Sequence, residues 1–421
     1  MQTDADQTVE LKRNRLQIMT LISLVGFLLA VVVYYIRAYY QGLSYPQSTF
    51  LFFPGDRFND FFNIAKVTKN LDPYFEFGGA FGNYFPLAYL FVYPFSLIAD
   101  QWQALYWFTV VFCLLFCGFL FFHFVLRQAG THRIDLFTWF PIVTMLVSYP
   151  VLFTVDRGNI ELYVFGCCAL FLLLFQKKQY TAASICLAAA ISMKLYPAVF
   201  LIFLLSEKKY RQSIIVCLAT AVLSVGALLL FRGTITSNLE GLKHGLDWYT
   251  TSYVKNFNIL EGINYNESYF SVFRILSVLG YLKISLGQLL TPYLIATMVG
   301  FALVTGYVIW VEKEIWKQVM LLVGSMILLP YVSADYKLIH LFLPIALFVA
   351  SPSRSRLDGM YAVIFGLLVI PKTYFTTPEG INWNSLINIL LMTVLCGLII
   401  LDRFVLSRRQ TASIKTGEDE P

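Results

Sequence analysis

Asp56 and Asp60 stand four residues apart in a polar stretch, PGDRFNDFFNIAKVTKNLDPYFEFGGAFGNYFP, that occupies residues 54–86. On a helix that spacing places both carboxylates on one face. Two acids so placed can abstract a proton from a substrate or hold a cation; the competing reading is two solvated loop acids. Four further polar clusters interrupt apolar sequence: Asp156-Arg157-Gly158-Asn159, Lys194 followed by Tyr196-Pro197, Asn266-Glu267-Ser268 with Arg274, and Ser333-Ala334-Asp335-Tyr336-Lys337 with His340. Ionisable residues in apolar sequence are costly and usually paired, so their default reading is functional. Lys194 suits an anion such as phosphate, or snorkels to an interface. Asp156 either pairs with Arg157 or contributes to a divalent-cation site, for which one carboxylate is the only candidate. Arg274 suits phosphate or lipid headgroups. His340 suits a phosphate or a hydroxyl, or fills a core position.

The elements that must position these residues are membrane helices. Hydrophobic residues make up 58% of the chain and charged ones 13%, against about 45–50% and about 25% in soluble domains. The net charge of +6 comes from short basic loops between apolar runs and calls for no nucleic acid. All seven cysteines lie within apolar segments, in no disulfide or zinc spacing. Apolar runs predict membrane segments at about 17–36, 103–126, 136–153, 160–176, 180–193, 195–206, 212–231, 286–311, 316–331, 338–351, 357–371 and 384–405, with boundaries good to a few residues. Residues 180–193 and 195–206 are short and meet at Lys194, the pattern of a broken element lining a cavity.

Residues 87–98 are interrupted by Pro94 and too short to cross the roughly 30 Å hydrocarbon layer. Reading them as non-spanning puts Arg127/Arg133, Lys177/Lys178, Lys208/Lys209/Arg211, Lys313/Lys317 and Arg354/Arg356 on the cytoplasmic side, as basic loops prefer. The short outer turns then carry one basic residue each: Arg157, Lys194, Lys337 and Lys372. Both termini fall inside, and most polar clusters next to apolar segments, the five named above among them, fall outside. The expected organisation is a cytoplasmic tail (1–16), a transmembrane unit (17–405) with outer loops at 37–102 and 232–285, and a polar tail (406–421). Within the first outer loop, Asp56 is the expected N-cap of a helix running towards Lys69. An interfacial helix is expected over roughly 269–283.

An Asp after the first span, then a helix, Asp72-Pro73-Tyr74 and Tyr84-Phe85-Pro86-Leu87 leading into an apolar segment resembles the first outer loop of C-type (GT-C fold) glycosyltransferases. Arg157-Gly158-Asn159, the run KKQYTAASICLAAAISMKLYPAVFLIFLL with Lys194 and Tyr196-Pro197, and Asn266-Glu267-Ser268 followed by Arg274 resemble glycosyltransferase family 87 in particular. So does the passage from Val332 through Asp335 to His340-Leu341-Phe342-Leu343-Pro344. The resemblance implies an all-α, polytopic GT-C-like bundle of about 12 segments in the plasma (inner) membrane. Its expected activity is transfer of a single sugar, a hexose such as mannose, from a polyprenyl-phosphate donor to a glycan or lipid acceptor on the extracytoplasmic face, with inversion. Asp56 or Asp60 is then the base. Lys194, Arg157, Arg274, His340 and Tyr196 face the donor phosphate and lipid, and Asn159, Asn266, Ser268, Asp335 and Tyr84 line the substrates. No cofactor is required by this reading, and a divalent cation stays open. The rival functions are a transporter or flippase of lipid-linked sugars, which calls for paired broken helices in corresponding halves, and a polysaccharide polymerase or ligase.

Overall fold

The computed structural model describes residues 2–75, 82–126, 136–253, 260–374 and 381–416. Part of the polar stretch (76–81), the loop carrying Arg127 and Arg133, and the end of the C-terminal tail (417–421) lie outside the described residues.

The described residues form helices and the turns that connect them, with no strand. Five helices are long and apolar enough to cross a membrane: Glu10–Tyr40, Gln101–Leu126, Tyr210–Leu230, Leu286–Trp310 and Trp383–Arg403. A sixth crossing results if Trp139–Leu146 and Tyr149–Arg157, bent by 48° at their junction, count as one. The helix Leu286–Trp310 has 25 residues, about 37 Å at the α-helical rise. It exposes Met298 and Leu303 at 69% each. Such faces are stable against lipid and costly against water.

The first helix, α1 (Gln2–Tyr35), is followed by α2 (Asn59–Thr68), α3 (Pro86–Ser96), α4 (Gln101–Phe121), α5 (Leu136–Leu146), α6 (Tyr149–Arg157), α7 (Glu161–Gln176), α8 (Tyr180–Met193), α9 (Leu201–Ser206), α10 (Tyr210–Leu230) and α11 (Ile235–Trp248). Then come α12 (Tyr269–Val278), α13 (Leu286–Trp310), α14 (Ile315–Leu328), α15 (Phe342–Ala350), α16 (Asp358–Leu368) and α17 (Trp383–Thr416). The short helices form the centre. In α14 and α15 nearly every side chain is buried, as expected of helices that are apolar on all sides. α8 packs between α7 and α10, and α1 lies along α16.

Most of residues 87–98 lies in the eleven-residue α3, Pro86–Ser96, which is not among the helices long enough to cross. The break at Lys194 is present: α8 ends at Met193, Lys194 is extended, and a 3-10 turn over Tyr196–Phe200 leads into α9. Lys317, counted as a loop charge, and Arg15, ahead of the first apolar run, are instead buried in ion pairs. Arg15 donates to Asp358 Oδ2 at 2.8 Å and to the carbonyls of Phe348 and Ser351, both at 2.8 Å. Lys317 donates to Asp402 Oδ2 at 2.8 Å.

The expected helix from Asp56 to Lys69 requires correction. Pro54–Asp56 forms a separate 3-10 turn, Arg57 is extended, and Phe58 takes a left-handed conformation with φ 58° before α2 starts at Asn59. The Phe58 N–H donates to the Asp156 carbonyl at 2.7 Å. This contact ties the chain to the end of α6 and breaks the helix between the two acids.

Candidate active site

Asp56 and Asp60 stand on opposite sides of that break, yet both reach one guanidinium. Arg157 Nη1 donates to Asp56 Oδ2 and Nη2 to Asp60 Oδ1, each at 2.6 Å. The planar fork of arginine suits such double pairing, and the guanidinium stays charged throughout the ordinary pH range. Its face rests 4.4 Å from the centre of the Phe52 ring. The remaining oxygens are also engaged: Asn59 Nδ2 donates to Asp56 Oδ1, and Asn159 Nδ2 to Asp60 Oδ2 at 2.6 Å.

Gly158 makes this pairing possible. It ends α6 in the left-handed region at φ 60°, so Arg157 and Asn159, on either side of it, both turn to Asp60. A Cβ at Gly158 would stand 2.8 Å from Phe61 Cβ. Gly158→Ala is expected to cost about 1–3 kcal/mol from backbone conformation alone, and more from that clash. A lowered unfolding midpoint in detergent together with reduced turnover is the expected result, and unchanged values for both would remove Gly158 from this role.

The network continues inward from Asn159. Lys194 Nζ donates to Asn159 Oδ1 at 2.9 Å and to Glu161 Oε2 at 2.6 Å. Glu161, fully buried, bonds through Oε1 to His340 Nε2 at 2.6 Å. The same imidazole nitrogen lies 3.3 Å from the Tyr196 hydroxyl. The Lys194 ammonium also faces the rings of Tyr336 and Tyr84, at 4.6 and 5.5 Å from their centres. One hydrogen-bonded chain therefore joins Asp56, Asp60, Arg157, Asn159, Lys194, Glu161, His340 and Tyr196, drawn from parts of the sequence nearly 300 residues apart. It is most open at the Asp56 end, where the side chain is 31% exposed, against 18% for Asp60 and none for Glu161.

Asp335, Asn266 and Ser268 belong to a second, deeper layer. The Asn266 amide donates to the Tyr331 carbonyl at 3.0 Å and accepts from the Ser333 N–H at 2.9 Å. Ser268 caps α12, the helix that carries Arg274 six positions further on. Asp335 accepts from the Tyr149 hydroxyl and, at 3.3 Å, from Asn384 Nδ2. Asn388 Nδ2 donates to the neighbouring Glu267 at 2.8 Å. Burial pushes the Asp335 carboxyl up to about 7 and raises Glu267 well above the usual range, while it lowers Lys372 to about 7. This layer anchors the 3-10 turn Asp335–Leu341, from which Tyr336, Lys337 and His340 reach the upper network. Asp156 pairs with Arg57 at 3.3 Å rather than with Arg157. Among the described residues, no three His, Cys, Asp or Glu side chains converge on a metal position.

Glu161 was not among the residues the sequence singled out. An acid in the first turn of a helix is ordinary, because it complements the helix dipole. The available signal was its setting between Ile160 and Leu162 at the head of a wholly apolar run.

Apolar helices long enough to cross a membrane, folded around a buried carboxylate–cation network, describe an integral-membrane protein. The sequence model of glycosyltransferase family 87 matches residues 83–333, more than half of the chain. The chain belongs to glycosyltransferase family 87 and is a membrane glycosyltransferase. The matched range contains Tyr84, Arg157, Lys194 and Arg274; Asp56 and Asp60 precede it, and Asp335 and His340 follow it. No curated protein matches the chain.

Proposed function

We propose that the enzyme transfers a single sugar, a hexose such as mannose, from a polyprenyl-phosphate carrier to a lipid or glycan acceptor at the extracytoplasmic face of the plasma (inner) membrane. The observation that carries this reading is the unbroken chain from Asp56 to His340 and Tyr196, which sets carboxylates at an open end and cations within. Asp56 takes the proton of the acceptor hydroxyl as that oxygen bonds to the anomeric carbon. The bond from that carbon to the phosphate oxygen breaks on the opposite side, so configuration inverts and polyprenyl phosphate leaves. The leaving phosphate gains negative charge, which nearby fixed donors stabilise more in the transition state than in the ground state.

On this reading Lys194, Arg157, Arg274, His340 and Tyr196 serve the donor side, and Tyr84, Asn159, Asn266, Ser268 and Asp335 shape or support the substrate space. The GT-C-like bundle has 12 membrane segments: the five long helices, the bent pair and six shorter apolar segments, with both termini cytoplasmic. A reporter active only outside the cytoplasm is then silent when placed after Lys178.

The test uses purified protein in lipid with labelled polyprenyl-phosphate hexoses and a panel of lipid and glycan acceptors. Labelled glycosylated acceptor supports the proposal. Donor lipid crossing vesicles without product overturns it in favour of transport, and transfer of a whole glycan chain overturns it in favour of a polymerase or ligase.

A further inference from the structure

Of the cations at the upper network, Arg157 and Lys194 are already committed to carboxylates. Arg157 is shared between Asp56 and Asp60, and Lys194 is held by Glu161. Lys337 differs. Its side chain is only 8% exposed, yet it forms no ion pair with the described residues. Its ammonium meets the Val332 carbonyl at 3.5 Å, a poor hydrogen bond, and lies 4.8 Å from the centre of the Tyr196 ring. A ring face and one distant carbonyl compensate a desolvated ammonium only in part.

Its surroundings are those of the network. Glu161 on α7, Lys194 at the end of α8, Tyr196 in the following turn, and Tyr336 and His340 on its own 3-10 turn are the charged and titratable groups around it. Tyr196 is common to both arrangements, since its hydroxyl reaches His340 while its ring receives Lys337.

We infer that Lys337 is the phosphate-binding cation of this site, taking the phosphate group of a polyprenyl-phosphate carrier. The inference rests on the donor chemistry proposed above and goes beyond it by choosing among the cations. Lys194 and Arg157 hold the carboxylates in place, and Lys337 supplies the uncommitted charge that an incoming phosphate pairs with. Burial lowers its pKa to about 8, opposed by Glu161 and reinforced by Lys194. Pairing with a phosphate raises it again, so bound phosphate and proton strengthen one another.

The experiment measures binding to the full-length protein in nanodiscs with three probes: polyprenyl phosphate without sugar, the neutral polyprenol, and inorganic phosphate. Lys337→Met is expected to weaken polyprenyl-phosphate binding about 10–100-fold, the range of one charge-assisted hydrogen bond, and to leave polyprenol binding unchanged. Lys337→Arg keeps most of the affinity. The wild-type protein loses affinity for polyprenyl phosphate as pH rises through 8, and the Arg variant does not. Thermal unfolding of both variants identifies a folding defect, and the Arg variant carries the test if the Met variant unfolds. Equal affinity of wild type and Lys337→Met overturns the inference. So does parallel loss of polyprenol binding, which indicates a disturbed lipid groove. Inorganic phosphate competing as well as the lipid phosphate overturns the assignment to a lipid carrier. Tight polyprenyl-phosphate binding by a protein that transfers no sugar sinks the proposed reaction and leaves this site standing.

Discussion

Asp56→Asn is expected to lower sugar transfer about 10²–10⁴-fold, the contribution of a positioned general base, with little change in affinity for the donor. The choice of Asp56 over Asp60 follows from how each is held. Both acids have both oxygens engaged, but Asp60 is held within α2 and its side chain is the less exposed of the two. Asp56 sits on a 3-10 turn outside α2 and is more open to an acceptor. Its asparagine keeps an oxygen for Arg157 but gives up the negative charge of the pair, the acceptor for Asn59 and the capacity to take a proton. Asp60→Asn is expected to act through Arg157, lowering the unfolding midpoint as well as the rate. A variant pair in which Asp56→Asn retains more than a tenth of the turnover, while Asp60→Asn retains none and unfolds normally, would reverse the two roles. Steady-state transfer assays paired with thermal unfolding in detergent distinguish these outcomes.

Glu161→Ala is expected to be the most damaging single change for stability. Glu161 is fully buried, and its two oxygens pair with Lys194 and His340. Removing it leaves a lysine in a dry environment with only Asn159 and aromatic faces as partners. Breaking one side of a buried pair costs about 3–5 kcal/mol, whereas replacing both partners with apolar groups of similar size is often neutral. The double variant Glu161→Leu with Lys194→Met is therefore expected to recover most of the lost stability and none of the activity. Denaturant unfolding measures the first quantity and sugar transfer the second. Recovery of both by the double variant would make the pair a packing device with no part in the reaction.

The upper network was largely legible in the sequence because each of its members breaks an apolar pattern. Asp56, Asp60, Arg157, Asn159, Lys194 and His340 stand out against Phe, Leu and Ile, and the structure brings all six together. The shape of the first outer loop was less legible. Four-residue spacing implies one helical face, but Phe58 is held in a left-handed conformation by a partner about 100 residues away, and local pattern carries no trace of that. Burial was hardest to read. Glu161, Lys317 and Arg15 look like ordinary helix-terminal or loop charges, and only the packing of distant segments encloses them. The apolar runs also conflate two kinds of helix. Leu286–Trp310 turns its side chains outward, whereas Ile315–Leu328, equally apolar in character, is enclosed by its neighbours.

The anchoring of Arg15 to Asp358 sets an order of events during synthesis. The two residues lie 343 positions apart, a separation that a ribosome covers in roughly 17–70 s at about 5–20 residues per second. For that interval the first helix exists without the acid and the carbonyls of residues 348–353 that later surround its guanidinium. Its final seat is made only when the last quarter of the chain arrives, so the N-terminal helix is among the first parts inserted and among the last fastened. A chain that stops before residue 358 would leave that arginine without its counter-ion.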